Sequence, residues 1–334
     1  VGKVDTARRI ASAAAVSGGG LSALGLGVYG LMRAEAMLAR KAIGDPLEDP
    51  PPNSSGWYGR RRPGPAIKVA LLGDSGAAGY GVDRVEDTPG AHLGTGISTY
   101  ADRRVYLGSF AVVGAQTSDL MDQVERALPI EPDVVVISIG GNDVTHGVTP
   151  ARSVEHLEPC LGRLRAAGIQ IVFGTCPDLG TVRPINPPLR QWARVMSRRL
   201  AAAQAVAVVQ ANGRSVSLGS ILGPEFDARP LDLFGPDQFH PSAEGYEHLA
   251  AVLLPSTLAA LGLTPVDDAP VAGRGEGVLL LSRAATEAAR TPGTELDGTA
   301  SARRGVRGKL VELRHRRRQP HIESESPDSE LEPA

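Results

Sequence analysis

Four short blocks of the chain carry groups that can do chemistry: Gly73-Asp74-Ser75-Gly76, Gly114-Ala115-Gln116-Thr117, Gly140-Gly141-Asn142-Asp143 and Asp237-Gln238-Phe239-His240. Together they supply a hydroxyl, an imidazole, carboxylates and hydrogen-bond donors, which is the equipment of acyl transfer. A serine hydroxyl is a weak nucleophile until a base takes its proton, and a free imidazole, with a pKa of about 6.5, does so near neutrality. Ser75 is therefore the candidate nucleophile and His240 its base. The imidazolium must be oriented and stabilised, and Asp237, on the same loop, is within reach. Asp178, in the block Thr175-Cys176-Pro177-Asp178, is the other carboxylate that could serve. Negative charge then builds on the carbonyl oxygen. The Asn142 amide and the backbone N–H groups of Ser75 and Gly114 are the candidate oxyanion donors, one of which can contribute about 3 kcal/mol. Such chemistry calls for no metal and no organic cofactor. His146 either lines an acyl pocket or is a hydrogen-bonded loop residue. The competing signature G-x-S-x-G fails because position 77 is Ala77.

Chemistry of this kind has to be placed by a scaffold. Residues 68–72, a stretch ending at Val113, and residues 133–139, 169–173 and 206–209 are short apolar or β-branched runs, as expected of strands buried on both faces. Between them, residues 117–128, 151–167 and 188–204 read as helices, and a last helix over 242–261 is capped by Ser242. Alternation of this sort predicts an α/β fold in three layers, with a central, mainly parallel sheet. Its chemistry belongs at the carboxyl ends of the strands, where the first three blocks fall. Residues 79–96 and 180–188 are expected to be loops that shape the pocket.

These motifs resemble those of the SGNH, or GDSL, hydrolases, a family of serine esterases and lipases named for an invariant Ser, Gly, Asn and His. The resemblance covers about residues 67–263. It implies Ser75 as nucleophile, Gly114 and Asn142 as oxyanion donors, His240 as general base and Asp237 as its partner, on a flavodoxin-like α/β/α fold. Two positions depart from the pattern: Gly76 replaces the Leu of the first motif, and Ser109 stands where the family often has Asn.

Composition bounds the alternatives. The 334 residues are 42% hydrophobic and 22% charged with a net charge of −2, which suits a globular protein and removes the case for a nucleic-acid binder. Residues 10–32 carry no charge and are flanked by Lys3, Arg8, Arg9 and Arg33, so residues 1–44 read as a signal anchor or signal peptide. A Pro-rich tether follows over 45–65, then the catalytic domain over 66–263. Residues 264–334 form a tail, basic and then acidic, that is expected to be disordered. This organisation places the domain in the cell envelope, outside the cytoplasmic membrane, acting on a small-molecule, lipid or glycan ester. Acyl transfer to a sugar or lipid hydroxyl, deacetylation of an envelope glycan and a non-catalytic envelope-binding role are the alternatives. Oligomeric state leaves no mark in the sequence. In an exported domain Cys160 and Cys176 either bridge or remain two free buried thiols.

Overall fold

The computed structural model describes residues 30–31, 33–38, 41 and 50–263, together with the backbone of 295–297. Most of the uncharged segment 10–32, all but residues 30–31, and most of the tail therefore lie outside the described residues. Among those described, no helix is long and apolar enough to cross a membrane.

Five parallel strands form the centre of the sheet: β2 (Ile67–Gly73), β3 (Val105–Ser109), β4 (Val134–Ser138), β5 (Gln170–Gly174) and β6 (Arg214–Val216). Two further strands, β1 (Gly56–Tyr58) and β7 (Glu295–Asp297), add antiparallel edges, giving the order β1-β3-β2-β4-β5-β6-β7. Successive side chains of a strand point to opposite faces, and here both faces are covered. Val69, Leu71, Val134 and Val136 pack with α2 (Pro89–Ala101) and α10 (Ala243–Ala260). Ala70, Leu72, Val135 and Ile137 pack on the other side against α3 (Leu120–Ala127) and α5 (Pro150–Ala166). The long helix α6 (Leu189–Gln210) serves both clusters, through Leu200 on one and Val208 on the other. The expected three layers are thus present.

Several expectations are corrected. Residues 206–209 are not a strand but the end of α6, and the strand that follows is β6, after Asn212 in a left-handed conformation and Gly213. The strand expected to end at Val113 is β3, which ends at Ser109. Within 79–96, residues from Pro89 onward are helical, capped by the Thr88 hydroxyl accepting from the Ala91 N–H. The tether is not wholly free, because its residues 56–58 are β1 and Trp57 packs on Tyr106 with ring centroids 5.3 Å apart. Three residues of the tail form β7. Residues 33–38 are helical, and Glu35 accepts a 2.9 Å hydrogen bond from the Leu189 N–H, so this part of the expected anchor is fastened to the start of α6. The two cysteines are free and buried. Cys160 sits in the cluster with α5 and Cys176 in the cluster across the sheet, so the β-strands stand between them and the alternative of a bridge is excluded.

Candidate active site

The chain leaves β2 through Gly73, whose φ of 145° and whose closeness to the Ser138 carbonyl, 1.9 Å from where a Cβ would lie, admit no side chain. Asp74 then caps the single-turn helix α1 (Ser75–Ala78), its carboxylate accepting from the Gly76 N–H at 3.0 Å. Ser75 is thereby the first helical residue, where the N–H has no acceptor within the helix and faces whatever lies at the strand end. A parallel construction follows β4: α4 (Gly141–Thr145) begins three residues past the strand end at Ser138 and carries Asn142 in its first turn.

His240 comes from a tight turn before α10. Asp237 organises that turn, one carboxylate oxygen accepting from the N–H groups of Phe239 and His240, both at 3.0 Å. Its other oxygen lies 2.6 Å from His240 Nδ1, and His240 Nε2 lies 3.0 Å from Ser75 Oγ. The imidazole is held between the rings of Tyr80, at 4.5 Å, and Phe239, at 4.8 Å. Tyr80 is in turn pinned from below, its carbonyl accepting from the buried Tyr246 hydroxyl at 2.6 Å.

Electrostatics follow from burial and these bonds. Burial pushes the Asp237 carboxyl up, but the hydrogen bonds from the His240 ring and the two backbone N–H groups outweigh it and hold the group below its usual range. Asp74 is buried, and desolvation raises it to about 6 despite the Gly76 N–H, the nearby His240 ring and the Gly140 N–H, which act in the other direction. Tyr246 is likewise driven up, by burial first and by the Asp74 and Asp237 charges second. Burial also pushes the Cys176 thiol well up, so it offers no thiolate here.

Ser75, His240, Asn142 and Gly141 open onto one cleft of about 120 Å³, whose other walls are mostly apolar. Asn142 donates one N–H of its amide to the Ala115 carbonyl at 3.0 Å, which leaves the second N–H of that amide for a ligand. Gly114 is not brought to this cleft. It stands exposed on a turn with φ 83°, walling a separate shallow depression with Val112 and Asp119. Asp178 does line the cleft but is not bonded to His240: it accepts from Gly180 N–H at 2.8 Å and pairs with Arg198 at 3.0 Å and Arg194 at 3.4 Å. His146 is exposed and bonded to the Asn142 carbonyl at 2.8 Å, away from the cleft walls. Sequence reading missed Tyr80 and Tyr246 as supports of the imidazole, since nothing in their spacing marks them.

A sheet covered by helices on both faces, with a carboxylate, an imidazole and a hydroxyl in hydrogen-bonded series at its carboxyl edge, defines the class of serine-type hydrolases. More narrowly, the chain belongs to the GDSL-like lipase/acylhydrolase family, whose profile matches residues 71–248. It is 38% identical over 262 residues to the GDSL-like esterase Rv1075c of Mycobacterium tuberculosis, covering 74% of this chain and 82% of that protein. Among solved structures it is similar to a lipase/acylhydrolase from Enterococcus faecalis, with 25% identity, a TM-score of 0.46 and coverage of 60% of this chain and 98% of that one. An acetylxylan esterase from Geobacillus stearothermophilus is similar at 17% identity and a TM-score of 0.44, covering 59% of this chain and 94% of that one. The protein is accordingly an ester-hydrolysing enzyme.

Proposed function

We propose that the enzyme cleaves carboxylic esters through an acyl-enzyme on Ser75. The observation that carries this reading is the series Asp237–His240–Ser75, with contacts of 2.6 and 3.0 Å. His240 Nε2 takes the Ser75 proton as Oγ attacks the ester carbonyl carbon, and Asp237 holds the ring by its Nδ1–H and stabilises the imidazolium. The oxygen that gains charge is met by the Ser75 N–H and the Asn142 amide, while a contribution from Gly114 would need its turn to move toward the cleft. Collapse of the adduct expels the alcohol, which receives the proton from His240. Water then enters, gives its proton to the same nitrogen, and releases the acid. The catalytic domain acts outside the cytoplasmic membrane, a placement supported by the uncharged residues 10–32.

Replacement of Ser75 by Ala tests the reading. Hydrolysis of p-nitrophenyl butyrate is expected to fall by at least about 10³-fold, and labelling by a fluorophosphonate probe to vanish, with the melting temperature of the wild type. Labelling that persists in Ser75→Ala overturns the assignment.

A further inference from the structure

The cleft beside Ser75 is built differently from the rest of the strand-end surface. Leu218, Leu222, Phe226, Phe234 and Leu249 supply its inner walls. They come from α7 (Leu218–Ile221), the Leu222 junction that follows it, α8 (Gly223–Ala228), the segment after α9 (Pro230–Leu233), and α10. Phe226 and Phe234 meet edge to face, 4.9 Å between centroids and 79° between planes, and each is 7% exposed. Such a pair is rigid, so the space it bounds has a fixed size.

Two carboxylates besides the Ser75–His240 pair line this cleft, and both are engaged: Asp178 by Arg198, Arg194 and the Gly180 N–H, and Asp74 by the Gly76 N–H. Against these inner walls a sugar or glycerol moiety would exchange hydration for leucine and phenylalanine surface, at a cost that a hydrocarbon chain does not incur. Size narrows the choice further. A closed apolar cavity of about 150 Å³ holds benzene, with six carbons, and this cleft encloses about 120 Å³.

Building on the acyl-enzyme reading, we infer that this cleft receives the acyl chain of the ester, that it accommodates straight chains of about four to six carbons, and that Phe226 and Phe234 set the limit. The alcohol side of the substrate leaves by the open face of the site. Acetyl groups underfill the cleft, and chains of ten or more carbons overrun it.

The experiment uses two ester series on the full chain: p-nitrophenyl esters from acetate to decanoate, and alkyl acetates with lengthening alcohols. In the first, kcat/KM is expected to rise about fourfold for each buried methylene, the equivalent of about 0.8 kcal/mol, to peak near hexanoate and to fall by decanoate. The second series is expected to stay flat. In Phe226→Ala the ratio of decanoate to butyrate kcat/KM rises by about tenfold or more; Leu222→Ala, which empties the same wall with less disturbance of the aromatic pair, shifts it in the same direction. A wild-type profile that ignores acyl length, a preference that follows the alcohol series instead, or unchanged ratios in both folded variants overturns the inference. Turnover that survives in Ser75→Ala defeats the acyl-enzyme reading itself, which separates the two failures.

Discussion

Asp237 is the residue on which the site's geometry turns, because one carboxylate both shapes the loop and aims the imidazole. Its hydrogen bonds keep it ionised, so the stability it contributes is present above the usual carboxylate range and disappears as pH falls through its lowered value. In Asp237→Asn the ring loses its charged partner, and kcat is expected to drop by about 10³–10⁴ with the fold intact, as read by initial rates and circular dichroism. Asp74 behaves in the opposite sense. Its folded pKa, raised by burial to about 6 from 3.8, means that the native state binds a proton more readily than the unfolded chain. Its contribution is therefore favourable below about pH 4 and is lost as pH rises to about 6. Relative to Asp74→Asn, the wild type is expected to lose about 3 kcal/mol of unfolding free energy across that window, measurable by urea titration at the two ends. Equal pH dependence of the two proteins would show that Asp74 does not titrate there. At this scale the sequence was legible: Ser75, His240 and Asp237 converge as their residue types required. Gly114 could not be placed in the same way, because a glycine's role depends on where its turn points and its identity does not say.

Elements deliver those residues by bracing strand ends. The β3 ladder stops level with Leu71, and beyond it the Gly73 carbonyl accepts from the Val112 N–H at 3.0 Å. The buried Gln123 of α3 completes the bracing, accepting from the Gly73 N–H at 2.7 Å and donating to its carbonyl at 2.9 Å. Gln204 of α6 does the same across two strands, accepting from Cys176 N–H and donating to the Ile139 carbonyl. Gln123→Leu leaves a buried N–H unpaired two residues before the nucleophile. It is expected to cost about 2–3 kcal/mol and to lower the melting temperature by about 5–10 °C in scanning calorimetry. The elements most visible in the sequence were the central strands, whose apolar runs need burial on both faces. The least visible was α2, rich in glycine because Gly94 lies against the Tyr58 ring and would clash with any side chain, so local propensity argues against a helix that packing requires. The valines of 206–209 misled in the other direction. Val208 and Val209 face the core from an alanine-rich helix, and a run of β-branched residues is ambiguous where both structures would bury it.

For the whole molecule, two hydrophobic clusters are separated by one sheet, and the order of strands fixes which parts open first. β2, β4 and β5 have partners on both sides and almost no exposed surface, whereas β1 is three residues long at an edge. Hydrogen exchange is expected to be slowest in Leu71, Val136 and Val172, at rates that track global unfolding, and fastest among strand residues at Trp57. Faster exchange in β4 than in β1 would contradict this ordering. The two edges also have a bearing on solubility. Both margins are closed by three-residue antiparallel strands, and a strand that short offers a passing chain few unpaired backbone groups to zip onto. A sheet finished in this way is a poor template for intermolecular growth, so the enzyme should tolerate crowding at high concentration better than one whose parallel strands ended bare.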